Sequence, residues 1–257
     1  IVNYDSHRAM MEAWNSKMWN STSGLLLWMS HPAWPSMVWQ IYSWDYETFG
    51  SFYGCRKACE PIHIQKNLDD QKVVVVNTSL KEIKGAKVIY EVYSLEGKSL
   101  FKRTSKLNVL ANGLTECFVQ DKPISASGVY MERLILQDKR GKVISINDYW
   151  QDNGEGNFQG FNALEEASIN CKLIQQKESQ IQLELQNTGA MPALALKLNV
   201  READTDKRIL PAYASDGYFN LLPGEKRTVT VEYVSREKVA ISAEGYNLKR
   251  SRLLTLK

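Results

Sequence analysis

The sequence predicts a mainly β protein in which two immunoglobulin-like sandwiches follow a short head of helix, strand and helix. Three observations carry this expectation. Six of the seven tryptophans fall within the first 44 residues, which separates a head from the remainder. After Pro61 the chain turns into short alternating apolar and polar runs broken by Gly, Asn, Asp and Pro, at the roughly 8–12-residue spacing of a sandwich. A Gly- and Asn-rich stretch, Gln151 to Asn157, then divides those runs into two sets, each about the length of one such domain.

In the head, Met10, Met11, Trp14 and Met18 recur at helical spacing from Asp5 to Trp19, with Asp5 or Ser6 as cap and Asn20-Ser21-Thr22 as the end. Trp14 and Trp19 are expected in the core. Gly24 to Met29 is a continuous apolar run bounded by turn residues, the pattern of a strand buried on both faces of a parallel sheet. A loop through Pro32 and Pro35 follows, and Gly54 to Glu60 reads as a final helix stopped by Pro61.

The first β set comprises Lys72–Val76, Lys87–Tyr93, Thr115–Val119, Val129–Leu136 and Val143–Ile146, with turns at Glu96-Gly97, Asn112-Gly113 and Arg140-Gly141. The second alternates more cleanly: Ile181, Leu183 and Leu185; then Leu194, Leu196, Leu198 and Val200; then Val229, Val231 and Tyr233. The expected division is 1–61, 62–156 and 157–257.

Composition removes several classes of function. The 257 residues carry a formal net charge of +3 from 32 basic and 29 acidic side chains, too small and dispersed for a nucleic-acid footprint. The basic cluster Lys249, Arg250, Arg252 and Lys257 reads as solvated. The longest apolar run, Leu25 to Met29, is far short of the ~18 residues of a membrane span, so neither nucleic acid nor membrane is expected as a partner. Cys55, Cys59, Cys117 and Cys171 are too sparse for a disulfide framework and lack the paired spacing of a zinc site, so they read as free structural thiols. No charged-then-apolar leader opens the sequence.

Motifs for chemistry are scarce. His7, His31 and His63 form no ligand pair at helical spacing, and no Gly-x-Ser-x-Gly elbow occurs, so neither a metal nor a cofactor is expected. Gly154, Gly156 and Gly160 have the wrong spacing for a dinucleotide loop, and the triplets at Asn20 and Asn77 are short enough to arise by chance. Asp5, Glu12, Asp45 and Glu47 are expected in surface or loop roles.

Two segments carry a resemblance. Gly24-Leu-Leu-Leu-Trp28-Met-Ser-His-Pro-Ala-Trp34-Pro-Ser-Met-Val-Trp39, running on to Trp44-Asp45-Tyr46 and Gly54-Cys-Arg-Lys57-Ala-Cys-Glu-Pro61, resembles the end of the catalytic barrel of glycoside hydrolase family 2. Arg208 to Pro211, Ser215 to Phe219, Leu222 to Glu225 and Gly245-Tyr-Asn247 resemble the last immunoglobulin-like domain of its β-mannosidase, mannosylglycoprotein endo-β-mannosidase and exo-β-glucosaminidase branch. The resemblance implies that the head is the last helix-strand-helix portion of a (β/α)8 barrel. Such a barrel needs roughly 250 residues, and only about the first 60 here belong to it.

The family's hydrolysis is retaining and uses two glutamates about 5 Å apart on earlier barrel strands; neither maps onto this chain, so no catalytic residue is expected within it. What the resemblance places here is sugar contact. Trp28 occupies the position of the indole under the sugar being cleaved, Trp34 and Trp39 are further candidates, and Asp45 matches an acidic residue that the family places before a Tyr. Packing is the plain alternative for the indoles. β-Mannosidases commonly have Trp-Gln-Leu-Asn-Asp where this chain has Trp28-Met-Ser-His-Pro32, which points away from exo-β-mannosidase, and the resemblance of Tyr218-Phe219 and Leu222-Pro-Gly-Glu225 in the last domain favours the glucosaminidase and endo-β-mannosidase side.

Two functions follow as expectations. One is the C-terminal part of a retaining β-glycosidase acting on oligosaccharides, inert alone, its partners being the rest of the barrel and the oligosaccharide, with a secreted or periplasmic setting by family habit. The other is a non-catalytic carbohydrate- or protein-binding sandwich module, since the fold alone hosts many functions. A truncated barrel also predicts exposed apolar surface along Leu25 to Trp28 and hence self-association.

Overall fold

The computed structural model describes residues 1–36, 40–120, 128–152, 154, 156–235 and 237–256. The described residues are mainly β, with two α-helices, α1 (Val2–Asn15) and α2 (Gly50–Ala58), and the chain divides into two compact units. One consists of 6–26 and 54–163, the other of 1–5, 27–53 and 164–257, so head residues are distributed between both.

In the unit of 6–26 and 54–163 the strands are β1 (Ile62–Lys66), β2 (Lys72–Asn77), β3 (Ile83–Ser94), β4 (Ser99–Val109), β5 (Gly113–Val119), β6 (Tyr130–Gln137) and β7 (Val143–Gln151). They form an antiparallel sheet β1-β2-β5 and a second, β4-β3-β6-β7. Register follows the apolar pattern: Val88 faces Leu136 and Tyr90 faces Leu134 across β3 and β6, so alternate residues deliver one buried face. Ile64, Val73, Val75 and Phe118 from the other sheet complete this core.

In the unit of 1–5, 27–53 and 164–257 the strands are β8 (Ile169–Lys177), β9 (Gln180–Asn187), β10 (Ala193–Glu202), β11 (Ala212–Ala214), β12 (Phe219–Leu221), β13 (Lys226–Tyr233), β14 (Val239–Gly245) and β15 (Leu248–Leu256). They build sheets β12-β10-β14-β15 and β11-β13-β9-β8. Ile181, Leu183 and Leu185 are fully buried, as their alternation with Gln and Glu predicts, and each contributes roughly 1.5–3 kcal/mol by leaving water. Asn247 closes this unit, donating to the Glu165 and Pro192 carbonyls and accepting from the Leu194 N–H. Gly217 lies against the Tyr53 ring, which belongs to the same core.

Three expectations are corrected. The run Gly24 to Met29 is not a buried strand: it joins no ladder among the described residues, and Leu26 is 98% exposed. A doubly buried strand must be hydrogen-bonded and covered from both sides, and apolarity alone supplies neither. Trp14 and Trp19 are about half exposed rather than core, and the Trp19 indole N–H donates to the Asn112 carbonyl. Glu12, read as a surface residue, is buried. Strands β1, β4, β8, β11, β12, β14 and β15 went unforeseen; β4 and β8 lie at sheet edges and are largely exposed, so they lack an apolar period to read.

Candidate functional site

The predicted sugar-contact residues converge on the segment 27–49. Its described residues join no strand ladder, and a bridge between Tyr42 and Thr48 closes a tight loop. The Ser43 N–H donates to the Glu47 carbonyl, the Glu47 N–H donates to the Ser43 hydroxyl, the Tyr46 N–H donates to the Ser43 carbonyl, and Tyr46 takes a left-handed φ of 64° to complete the turn. At the base of the loop, the Ser51 hydroxyl donates to the Gln40 carbonyl and Thr48 meets the Tyr53 hydroxyl.

Acidic side chains on this loop are held by cations of the sandwich in the same unit. Asp45 accepts from Ser43 and, at 2.8 Å, from Arg208; Glu47 accepts from Arg208 and from Lys197. Burial pushes the Asp45 carboxyl up, but the Ser43 hydrogen bond and the Arg208 charge outweigh it and hold the group below the usual carboxylate range. Asp45 is thus an ionised acceptor with two partners already in place.

Aromatic rings on the segment are turned outward. Trp28 is 82% and Trp34 68% exposed, and Trp44 and Tyr46 are about half exposed. Indoles in such positions can cover the apolar face of a pyranose while their N–H reaches a hydroxyl. His31 stacks on Tyr46 with ring centroids 4.5 Å apart. Trp39 lies outside the described residues. Trp28, Trp34 and Asp45 therefore share one segment of one unit.

A second polar centre, which the sequence reading missed, lies in the unit of 6–26 and 54–163. Glu12 of α1 accepts from His63 at 2.9 Å, from Asn147 at 2.7 Å and from the Tyr149 hydroxyl at 3.0 Å. Through its other nitrogen, His63 faces Glu60, which also receives Lys57 and Ser145. Arg8, one turn before Glu12, donates to Asn147 and covers the Tyr149 ring. Deeper still, Lys66 pairs with Glu132, which also accepts from Tyr90.

Burial disfavours charge on both Glu12 and His63, yet their mutual hydrogen bond and the neighbouring charges prevail: Glu12 is held low and His63 high. Glu60 is carried down to about 2 despite its own burial, chiefly by the His63 hydrogen bond and Lys57. His63 thus lies between two carboxylates that favour its protonated form. The signal in the sequence was faint: Arg8 and Glu12 stand one turn apart on the helix, a spacing that equally suits a solvated pair.

Among the described residues no group of three metal-ligating side chains is placed to hold an ion, and no helix is long and apolar enough to cross a membrane.

The chain is related to glycoside hydrolases. Residues 147–248 match the Exo-beta-D-glucosaminidase Ig-fold domain. More particularly, the chain is a homologue of exo-β-D-glucosaminidases and of a mannosylglycoprotein endo-β-mannosidase, as the motifs of the head and the last domain suggested. The exo-β-D-glucosaminidase of Amycolatopsis orientalis is 27% identical over 280 residues, covering 96% of this chain and 27% of the relative. That of Arthroderma benhamiae is 26% identical, covering 97% of this chain and 31% of its own length. The endo-β-mannosidase of Lilium longiflorum is 26% identical, with 96% and 33% covered. The crystal structure of the Amycolatopsis orientalis exo-chitosanase CsxA matches 97% of this chain and 33% of its own with a TM-score of 0.87 at 25% identity. A β-D-mannosidase from Dictyoglomus thermophilum shares the fold, with a TM-score of 0.71 at 20% identity over 94% of this chain and 28% of its own. The chain spans about a third of the length of the curated relatives it matches.

Proposed function

We propose that this chain is the C-terminal part of a retaining β-glycosidase that hydrolyses β-linked glucosaminides or mannosides in oligosaccharides. The observation that carries this reading is the match of nearly the whole chain to one third of an exo-chitosanase. In this reading residues 1–61 are the end of the barrel, 62–156 and 157–257 are the two supporting sandwiches, and the acid/base and nucleophile lie on the remainder of the barrel, which is the partner of this chain. Trp28 forms an apolar floor for the sugar, Trp34 and Trp39 extend it, and Asp45 supplies a fixed negative acceptor. The outward-facing Trp28 and Trp34 indoles and the Arg208-held Asp45 support these assignments.

Hydrolysis of aryl β-glucosaminide, β-mannoside, β-glucoside and β-galactoside by the 257-residue chain tests this, with Trp28→Ala and Asp45→Asn alongside. The expected result is no turnover of any substrate by the chain alone, and turnover of the glucosaminide or mannoside when the remaining two thirds of a relative's length is supplied by fusion. Turnover by the chain alone that Asp45→Asn abolishes would put the chemistry inside these residues and refute the proposal.

A further inference from the structure

Within the outward-facing segment one imidazole is held in a fixed orientation. His31 lies parallel to Tyr46, centroids 4.5 Å apart and planes 13° from parallel, and its Nε2 is 3.1 Å from the Trp44 carbonyl. A carbonyl only accepts, so Nε2 carries the hydrogen, and in the neutral ring Nδ1 is left with a lone pair. Among the described residues Nδ1 has no hydrogen-bond partner, and the ring is only partly buried.

Both groups that orient His31 belong to the loop 43–48, itself closed by the Ser43–Glu47 exchange and by the Arg208 and Lys197 contacts. Those contacts also occupy the loop's two carboxylates. Nδ1 of His31 is therefore a pre-oriented acceptor lying three residues from each of the exposed indoles Trp28 and Trp34.

We infer that His31 is a substrate-positioning residue whose Nδ1 accepts a hydrogen bond from a hydroxyl or ammonium group of the sugar stacked on Trp28. This rests on the reading that segment 27–49 faces the sugar. The stacking on Tyr46 and the Trp44 carbonyl fix the ring before the sugar arrives, so the bond forms without ordering a free side chain.

The test titrates the full 257-residue chain with a β-1,4-linked glucosamine disaccharide and, separately, with β-1,4-mannobiose. Tryptophan fluorescence reports binding, and long-range ¹H–¹⁵N spectra report the His31 ring. Binding is expected to shift the His31 Nδ1 resonance. His31→Gln keeps a side-chain donor for the Trp44 carbonyl but removes the Nδ1 acceptor, and weakens binding roughly three- to tenfold, the size of one hydrogen bond. His31→Asn, whose amide oxygen sits near the place of Nδ1, restores most of the affinity. A response confined to the glucosamine sugar assigns an ammonium donor, and a response to both sugars assigns a hydroxyl. Binding that Trp28→Ala abolishes but His31→Gln leaves unchanged would overturn the role of His31 while sparing the sugar-face reading. The same titrations on the fusion that supplies the remaining two thirds of a relative's length decide the case in which the chain alone is silent: no response of that fusion to either sugar would overturn both.

Discussion

Replacing Glu12 with Ala tests whether the buried polar centre holds α1 to its sandwich. The carboxylate accepts from His63, Asn147 and Tyr149 in a setting where Glu12 is 4% and His63 0% exposed. Its removal leaves a buried imidazole with Glu60 as its one remaining carboxylate, while Asn147 keeps the Ile64 carbonyl and Tyr149 keeps the Lys66 N–H but loses its acceptor. Breaking one side of a buried charge pair costs about 3–5 kcal/mol, a large share of the roughly 5–15 kcal/mol that stabilises a domain. Tyr149→Phe removes the donor to Glu12 and also the acceptor of the buried Lys66 N–H and the Asn147 amide, and should cost about 1–3 kcal/mol. Urea unfolding followed by far-ultraviolet circular dichroism gives both values, and hydrogen exchange over residues 6–15 locates the effect. With Glu12 and Tyr149 in direct contact, the double variant should be non-additive by about 0.5 kcal/mol or more. A Glu12→Ala cost below about 1 kcal/mol, or strict additivity, would refute the view that this carboxylate organises the helix.

Stability should also depend on pH through the same residues. His63 is raised in the fold, so its contribution is complete below its ordinary value of 6.5 and fades as pH climbs through the elevated one; Glu60 is depressed from 4.5 to about 2, so its contribution is complete above 4.5 and fades as pH falls toward 2. Thermal midpoints should be highest between these limits, and the alkaline decline should shrink in His63→Gln; an unchanged decline would exclude His63. Gly217→Ala would place a Cβ 2.8 Å from the Tyr53 ring, and overpacking of this kind should lower stability by about 1–3 kcal/mol in the same urea assay. Trp28→Ala should change stability by less than about 0.5 kcal/mol, because the indole is already largely in water. The exposed Leu27, Trp28, Met29 and Trp34 should make the isolated chain associate and bind a hydrophobic dye, and a strictly monomeric, dye-silent protein in light scattering would contradict this.

The sandwich strands were legible wherever one face meets a core and the other meets water. Ile181, Leu183 and Leu185 announce β9 because a period of two places them together in any strand, whatever the rest of the chain does. Edge strands such as β8 and β4 carry no such period and escaped notice, since what makes them strands is the neighbour they pair with. The outward indoles were visible as candidates from their clustering together with the family resemblance, but not their exposure: Trp28 at 82% and a core tryptophan look alike in a sequence.

Local order therefore determined the class of fold, the division into an aromatic head and β-rich remainder, and the kinship with β-glycosidases carried by two short motifs. Tertiary structure alone decided that Glu12 and His63 meet across 51 residues in a dry interior, that Arg208 reaches back to Asp45, and that His31 is locked against Tyr46. The physical reason is common to all three. A periodic apolar face is specified by neighbours in sequence, whereas a charge or a ring nitrogen takes its protonation, orientation and use from whichever distant group the fold brings within about 3 Å of it.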